Sequence, residues 1–248
     1  MSGAFGIDKH FSRRDRTIYV STDADGSGTG DLQKPFNSLA EAVDNIPTTV
    51  THNYVIRVMG HFTEPLIIEG RNILRNLQIR GHVGNNEANS LRFIRMVNVQ
   101  GRTNINNLST ATQFGDNGFY FEGCAGYHRI DGCRSVADLP PPPVTYWYTG
   151  GSIDQGRGVM ALYGSSVAVY NTILANRRYG VRVSYNGMCE TRDTSGHNAI
   201  GNGIRFNGMI STHGTQCTGE HGNNSVKYGG IITDADGAVI VGNDGTRW

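Results

Sequence analysis

Short stretches of alternating apolar and polar residues recur at regular intervals along the second half of the chain. Four of them open with a glycine: Gly158, Gly180, Gly203 and Gly229. In the second stretch Val181 and Val183 flank Arg182, which places the two valines on one side of a strand and the arginine on the other. The glycines are 22, 23 and 26 residues apart, so the pattern indicates an internal repeat of that length.

Each repeat holds a second alternating segment after a turn. Its apolar and small residues are Val167 and Val169, Cys189 and Thr191, Ile210 and Thr212, and Val239 and Val241. Asparagines typical of left-handed turns precede the next glycine: Asn176, Asn198 and Asn224. Weaker apolar segments extend the pattern upstream over residues 54–58, 66–68, 77–79, 93–97 and 119–121. Since no repeat has room for a crossover helix, the pattern predicts a parallel β-solenoid, with roughly eight turns over residues 54–248.

A helical pattern occupies the residues before these repeats. Ser38 and Glu41 have the spacing of a capping box. The apolar residues that follow recur at helical spacing: Leu39, Ala42, Val43 and Ile46. Pro47 marks the end of the predicted helix. Because the first turn of a solenoid has no neighbour to cover it, we expect this short amphipathic helix to cap the N-terminal end.

Several short motifs occur together in the same region. They are Tyr19-Val20-Ser21, Gly28-Thr29-Gly30, Pro35-Phe36 and Ala42-Val43. The set resembles the N-terminal motif of right-handed parallel β-helix proteins of the pectin-lyase-like superfamily, particularly the branch found in bacteriophage tailspikes and tail fibres. The resemblance implies an all-β chain that forms a single right-handed parallel β-helix with an N-terminal capping helix. The predicted divisions are an N-terminal arm at 1–16, a first strand and capping helix at 17–53, and the β-helix domain at 54–248.

The charge of the chain is nearly balanced, with 17% charged residues and a formal net charge of +1. This balance does not favour nucleic acid or an anionic membrane as a partner, and no apolar run is long enough to insert into a membrane. The four cysteines form no CxxC pair, so we expect buried free thiols and predict no metal site and no cofactor. The first residues lack the apolar core of a secretion signal, which fits a virion protein made in the host cytoplasm.

The catalytic motifs of pectin-lyase-like enzymes do not occur in order in this chain. Hydrolysis of a glycosidic bond needs two carboxyl groups roughly 5 to 10 Å apart. The acids near predicted strands are Glu122, Asp131, Asp154, Glu190 and Asp193. Asp131 and Asp154 are 23 residues apart, which is one repeat, so they form the best candidate catalytic pair. The alternative is that all of these acids are solvated loop residues, and catalysis stays open.

Two groups of side chains are candidates for binding. Stacking of the repeats predicts an outward patch whose pairs are Arg182 with Arg205, Glu190 with Ser211, and Arg192 with His213. This patch would bind an acidic sugar or a neighbouring subunit, or it is a plain solvated face. Tyr146, Trp147 and Tyr148 follow the proline run 140–143. Their rings either bind a sugar or a protein or pack into the body of the solenoid.

Together these features lead to one predicted function and two alternatives. The first is a bacteriophage virion protein of the tailspike or tail-fibre type that attaches to a host-surface polysaccharide or to other virion proteins, and the resemblance implies a homotrimer. The second is a polysaccharide depolymerase on the same scaffold. The third is a structural capsid or tail decoration protein. New reducing or unsaturated ends on a host polysaccharide would indicate the second, and binding to intact host cells would argue against the third.

Overall fold

The computed structural model describes residues 10–26, 28–82, 88–112, 117–137, 156–219, 223–226, 228–233 and 238–241. Within these residues the chain forms 24 strands and one short helix, α1 (Leu39–Asp44). The strands are β1 (Arg16–Ser21), β2 (Thr49–Val50), β3 (Asn53–His61), β4 (Leu66–Glu69), β5 (Asn72–Gly81), β6 (Asn89–Leu91), β7 (Ile94–Val97), β8 (Gln100–Asn106), β9 (Ser109–Thr112), β10 (Phe119–Glu122), β11 (Ala125–Asp131), β12 (Arg134–Ala137), β13 (Arg157–Leu162), β14 (Ser166–Tyr170), β15 (Ile173–Ala175), β16 (Tyr179–Ser184), β17 (Met188–Arg192), β18 (His197–Asn198), β19 (Ile200–Arg205), β20 (Met209–His213), β21 (Thr218–Gly219), β22 (Asn224–Val226), β23 (Ile231–Thr233) and β24 (Val239–Val241).

Strands of successive turns stack in parallel into three faces. Face A comprises β3, β5, β8, β11, β14, β17, β20 and β23, with β1 beside β3. Face B comprises β4, β7, β10, β13, β16, β19 and β22. Face C comprises β6, β9, β12 and β15 and joins the end of β3.

The number of turns follows from face B, whose seven strands are separated by six steps. The described residues therefore form a parallel β-solenoid of about six turns. This confirms the predicted all-β parallel solenoid. The count within the described residues is lower than the roughly eight turns expected from the repeat length.

On face A the register between turns agrees with the predicted stacking. Glu190 pairs with Ser211, and Arg192 pairs with His213, when β17 lies beside β20. Both pairs were predicted from the repeat, and both are confirmed. The predicted second segments also stack as expected over three turns, since β14, β17 and β20 are neighbours.

On face B the register departs from the prediction by two residues. Arg182 pairs with Gly203, and Arg205 pairs with Ser184, so the prediction that Arg182 lies over Arg205 is wrong. The reason lies in the ring of Tyr179, which covers Gly203. A Cβ atom added at Gly203 would lie 2.4 Å from two ring carbons of Tyr179, so only glycine fits at this position.

The C-terminal end of face A differs from the prediction as well. Ile210 pairs with Ile232 of β23, so β23 and not β24 continues the stack. The strand β24, predicted as the next parallel segment, turns back and pairs antiparallel with β23. This hairpin supplies partners for the outer edge of β23, which would otherwise present unpaired backbone groups.

Inward side chains of equivalent turns stack into apolar columns. One column on face A is formed by Ile56, Ile79, Ile105, Ile130 and Val169, all of them buried. The four cysteines, Cys124, Cys133, Cys189 and Cys217, are buried and free, which confirms the expectation of unpaired thiols. Apolar burial of this kind is the main stabilising contribution to the solenoid.

Asparagine occupies left-handed turns at several positions, with φ between 48° and 60°: Asn98, Asn107, Asn171, Asn176, Asn186 and Asn207. Only Asn176 was among the three predicted. Asn198 lies in β18, where its side chain accepts a hydrogen bond from the Arg177 N–H and donates one to the Leu174 carbonyl. Asn224 lies in β22 and accepts a side-chain hydrogen bond from Asn202.

The predicted helix forms close to its expected position. The Ser38 hydroxyl accepts hydrogen bonds from the N–H groups of Ala40 and Glu41, and the Glu64 carboxylate accepts one from Leu39. Leu39 and Ala42 are buried, and the helix contacts β1 and β4. Its role as a cap of the solenoid remains a prediction.

Candidate functional site

Outward columns of face A bring charged and aromatic side chains together around Tyr170. Tyr170 pairs with Asp131 on the preceding turn and with Arg192 on the following one. The guanidinium carbon of Arg129 lies 4.7 Å from the centre of the Tyr170 ring, and that of Arg192 lies 5.5 Å from it. Two cations in contact with one ring hold that ring in place by cation–π attraction.

The hydroxyl of Tyr170 is part of the same cluster. Desolvation raises the pKa of Tyr170 to about 12, with smaller contributions from its hydrogen bond to Glu190 and from Tyr127. The phenol therefore stays neutral and keeps its proton for hydrogen bonding. Glu190 also lies 3.9 Å from the guanidinium of Arg192, measured from Oε1 to Nη2. The cluster thus presents hydrogen-bonding groups in fixed positions on a rigid sheet.

The carboxylate of Asp131 is held by neighbouring side chains. Arg129 Nη2 donates to Oδ2 at 2.6 Å, and Asn171 Nδ2 donates to Oδ1 at 2.9 Å. Both oxygens have donors from the chain, which fixes the orientation of the carboxylate and of Arg129. Asp154, the predicted catalytic partner of Asp131, lies outside the described residues, so this pair stays a prediction.

The other candidate acids are distributed over different parts of the solenoid. Glu122 lies on face B, where its Oε2 accepts a hydrogen bond from the Tyr120 hydroxyl at 2.9 Å and lies 3.6 Å from Arg95 Nη2. Asp193 lies in the turn after β17, and its Oδ1 accepts a hydrogen bond from the Thr215 N–H at 3.2 Å. Of the candidate acids that the structure describes, only Glu190 and Asp131 therefore share the Tyr170 cluster.

A shallow groove of about 260 Å³ runs along face A next to this cluster. Its lining comprises Tyr127, His128, Ser166, Val167, Ala168, Met188, Cys189, Glu190, Met209, Ile210, Ser211 and Thr233. Met188 and Met209 pair in register, and both side chains are exposed together with that of Tyr127. The groove therefore combines a thioether and aromatic wall with the carboxylate of Glu190.

A second, more open depression of about 430 Å³ lies beside α1. Its lining comprises Thr22, Asn37, Ser38, His61, Phe62, Thr63 and Glu64. Glu64, the carboxylate among these described residues, already accepts the hydrogen bond from the Leu39 N–H. We therefore place the candidate functional site on face A.

Four aromatic side chains, here called the aromatic ladder, stack along the solenoid beside the groove. They are Tyr163, Tyr185, Phe206 and Tyr228. Successive ring centres are 4.9, 4.7 and 4.9 Å apart, and the ring planes differ by 14°, 9° and 4°. All four residues are exposed and have left-handed backbones, with φ between 50° and 54°. A left-handed backbone is uncommon for large side chains.

The aromatic ladder lies in the turns that lead from face B into the strands of the groove. Tyr163 lies in the turn between β13 of face B and β14 of face A, and Tyr185 lies in the equivalent turn one step later. Met188 begins the next strand of face A only three residues after Tyr185. The aromatic ladder and the methionine pair are therefore close along the chain, and all of their side chains are exposed.

The aromatic ladder was missed in the sequence, although a signal for it is present. Each ring is followed by a second left-handed residue, which is Gly164, Asn186, Asn207 or Gly229. An aromatic residue followed by glycine or asparagine thus recurs at steps of 22, 21 and 22 residues. Applied to the next repeat, the alternation seen around Arg182 would place Phe206 beside Arg205 in a strand, whereas Phe206 lies in the exposed turn.

The predicted binding residues fall into two groups. Arg182 and Arg205 lie on face B, across the aromatic ladder from the groove, and both are partly exposed. Tyr146, Trp147 and Tyr148 lie outside the described residues, so their role stays a prediction.

The chain matches no protein-family model, no curated protein and no solved structure. Among the described residues, no helix is long and apolar enough to span a membrane. The function of this chain is therefore inferred from the chemistry of the site itself.

Proposed function

We propose that this protein is a bacteriophage virion component of the tailspike or tail-fibre type that binds a host-surface polysaccharide along the groove of face A. The observation that carries the proposal is the composition of that groove. Tyr127 and Met188 supply an exposed apolar wall, and Glu190 and Tyr170 supply hydrogen-bonding groups beside it. Sugars present both apolar C–H faces and hydroxyl groups, so they need this combination from a binding surface.

The rigidity of the site supports the same proposal. The rings and charges belong to strands paired on both sides, and cation–π contacts to Arg129 and Arg192 hold Tyr170. A preorganised site loses little conformational entropy when it binds a flexible polymer. The stacked rings of the aromatic ladder and the paired Met188 and Met209 also repeat along the axis, which suits a ligand that is itself a repeating chain.

The proposal extends to assembly. The N-terminal motif that resembles phage β-helix proteins implies a homotrimer that docks on other tail or capsid proteins of the virion. The expected result of light scattering on the full chain is three times the mass of one chain. A monodisperse monomer would count against the trimer but would leave glycan binding untouched.

Glycan binding is tested with the full chain on an array of purified bacterial capsular and O-antigen polysaccharides. We expect saturable binding to at least one of them, and for that polysaccharide Tyr127→Ala and Glu190→Gln should each weaken affinity about tenfold, because each removes one wall of the groove. Gln78→Ala is the matched control, since Gln78 lies in the same outward column as Glu190 but four turns towards the N-terminus. Binding that Gln78→Ala weakens as much as Glu190→Gln would contradict the placement of the site, and a folded chain that binds no polysaccharide would favour a decoration protein.

A polysaccharide depolymerase is the second candidate, and the presence of Asp131 and Glu190 in one cluster favours it. Hydrolysis of a glycosidic bond generally requires a pair of carboxyl groups on one face of the site. The polysaccharide that binds best is incubated with the protein and analysed for new reducing or unsaturated ends. Fragments that disappear in both Asp131→Asn and Glu190→Gln would establish this candidate, and an intact polymer would exclude it.

A further inference from the structure

Face B carries an arginine site that the groove of face A does not include. The guanidinium carbon of Arg182 lies 5.0 Å from the centre of the Tyr179 ring, and that of Arg178 lies 5.7 Å from it. The ring itself covers Gly203, the residue that pairs with Arg182. Because Gly203 has no side chain, the Tyr179 ring can lie over it and contact Arg182.

An arginine at an equivalent position in the N-terminal half has a different set of partners. Arg95 lies in the same outward column of face B, connected to Arg182 through Tyr120 and Met160. Its guanidinium carbon lies 5.4 Å from the centre of the Tyr120 ring, and Nη2 lies 3.6 Å from Glu122 Oε2. Arg95 thus has both an aromatic ring and a carboxylate as partners.

The column that supplies this carboxylate changes character along the solenoid. From Glu122 it continues through Leu162 and Ser184 to Arg205. In the part of the chain that the structure describes, no carboxylate lies within ion-pair distance of Arg182 or Arg205. Arg205 follows Gly203, the partner of Arg182, by two residues, so it is the diagonal neighbour of Arg182 on the same side of the sheet. The C-terminal half thus replaces an acid with a second arginine.

The electrostatics of Arg182 reflect this replacement. Desolvation lowers the pKa of Arg182 to about 10, with further lowering by the charges of Arg157, Arg205 and Arg178. The side chain stays protonated at neutral pH, so a partly desolvated cation lies among like charges. An anion placed between these guanidinium groups would relieve that repulsion.

A buried hydroxyl points to the same place. Ser184 follows Val183, which faces the core, so its side chain lies on the same side of β16 as Arg182. Ser184 is 2% exposed, and within the described residues its Oγ has no hydrogen-bond partner. A buried hydroxyl without a partner is unfavourable, so it marks a position where a ligand atom would be stabilised.

The geometry points to an oxoanion-binding site on face B formed by Arg182, Arg205 and Ser184. Guanidinium groups bind carboxylate, sulfate and phosphate oxygens through paired, charge-assisted hydrogen bonds, and the serine hydroxyl adds one more donor. Ser184 and Arg205 directly precede Tyr185 and Phe206 of the aromatic ladder, so the ladder lies between this site and the strands of face A. On the basis of the proposed function, the ligand is the acidic substituent of the bound glycan, whereas the oxoanion site itself does not depend on that function.

The first experiment tests the site with simple anions and the full chain. Sodium sulfate and sodium glucuronate are titrated at low, constant ionic strength, and the side-chain Nε–Hε signals of arginine are followed by NMR. We expect saturable shifts that Arg182→Gln reduces at least tenfold in apparent affinity and that Ser184→Ala reduces by a smaller factor. Arg95→Gln is the matched control and should leave the affinity unchanged, because Arg95 already contacts Glu122.

Several results of the anion titration would contradict the oxoanion site. Shifts that rise linearly without saturation, or that chloride reproduces at the same concentration, would overturn the site, as would an equal loss of affinity in Arg95→Gln and Arg182→Gln. The folded state of each variant is checked by circular dichroism. Since Arg182→Lys keeps the charge but not the paired donors, an intermediate affinity in that variant separates a binding defect from a folding defect.

A second experiment connects the site to glycan binding. The polysaccharide array is divided into neutral and uronate-containing or sulfated polymers, and binding is compared for the parent chain and Arg182→Gln. We expect a preference for the acidic polymers that Arg182→Gln removes. If simple anions bind and no polysaccharide does, the proposed function fails and the oxoanion site stands. If neutral and acidic polymers bind equally, the proposed function stands and the assignment of the ligand fails.

Discussion

The tight turn that connects face B to face A carries different residue types in the two halves of the solenoid. In the N-terminal half, the turn between face B and face A places Gly70, Asn98 and Gly123 in the left-handed region, with φ of 59°, 52° and 62°. In the C-terminal half, the same turn carries the aromatic ladder with nearly the same φ values. The backbone shape is therefore set by the solenoid, and the choice of side chain is free to serve another purpose.

The aromatic residues introduce backbone strain at this turn, which glycine and asparagine largely avoid in the N-terminal half. Glycine adopts a left-handed backbone without strain, and asparagine tolerates it well, whereas other residues lose about 1–2 kcal/mol each. Stacking contributes about 0.5–1.5 kcal/mol for each aromatic pair, so it offsets part of this strain. Residues held in an unfavourable backbone conformation concentrate at functional sites, and here they lie between the groove and the arginine site.

The interior shows a second contrast between the halves, and it allows the largest predicted effect. One inward column of face A contains Thr103 and His128 in adjacent turns and then becomes Val167. His128 is fully buried, and its Nδ1 lies 2.8 Å from the Thr103 hydroxyl. Desolvation lowers the pKa of His128 from 6.5 to about 4, so the imidazole is neutral in the folded chain.

Acid should therefore weaken the fold through His128. Between pH 6.5 and about pH 4 the unfolded chain takes up a proton at this residue that the folded chain does not. The free energy of unfolding is fully retained above pH 6.5 and falls as the pH drops, by about 3 kcal/mol over the whole interval. The measurement is urea unfolding at pH 7 and pH 4.5, followed by circular dichroism.

A matched pair of variants isolates this effect from other titrating groups. His128→Leu should remove most of the difference in unfolding free energy between the two pH values, because leucine has no group that takes up a proton. Leucine also continues the apolar column of Val167, so the variant should fold. His197→Gln, at an exposed position, should keep the difference of the parent chain. If His128→Leu shows the same loss between pH 7 and pH 4.5 as the parent, another group causes it.

These contrasts explain how far the sequence could predict the structure. The alternation around Arg182 and the steps of 22 to 26 residues between glycines were sufficient for the parallel solenoid, because every turn must repeat the same inward positions. The register on face B was not predictable from glycine spacing, since both Gly201 and Gly203 are available in β19. The contact between Tyr179 and Gly203 decides between them, and such a contact is visible only in three dimensions.

The candidate site was predicted less completely than the fold. Glu190 and Arg192 were placed correctly because they follow the repeat on face A. The central role of Tyr170 was not predicted, because it depends on Arg129 one turn before and Arg192 one turn after. Distances between side chains on different turns follow from register, and an error of two residues on one face moves every outward contact on that face.

Disruption of the aromatic ladder is expected to have the next largest effect. Tyr185 stacks on Tyr163 and on Phe206, so Tyr185→Ala loses two stacked contacts and should lower the free energy of unfolding by about 1–3 kcal/mol. Tyr163→Ala loses one stacked contact among the described rings and should cost about half as much. Denaturant unfolding of the variants measures both values.

A double-mutant cycle tests whether the rings act as a stack. Tyr185 and Phe206 are in contact, so their combined substitution should show a coupling energy of at least about 0.5 kcal/mol. Tyr163 and Phe206 are separated by Tyr185, and their effects should simply add. Equal coupling in both cycles would mean that the variants disturb the turn as a whole.

A final pair of variants shows which element imposes the left-handed turn. Tyr185→Gly and Tyr185→Ala remove the same stacked contacts, but only glycine adopts a φ of 53° without strain. If the stacked backbone of the solenoid imposes the turn, as Gly70 and Gly123 suggest, the glycine variant should be about 1 kcal/mol more stable than the alanine variant. Equal stability of the two variants would show that the turn relaxes once its ring is removed. In that case the ladder itself maintains the backbone of the C-terminal half, and the aromatic rings are part of the structure before they are part of any binding surface.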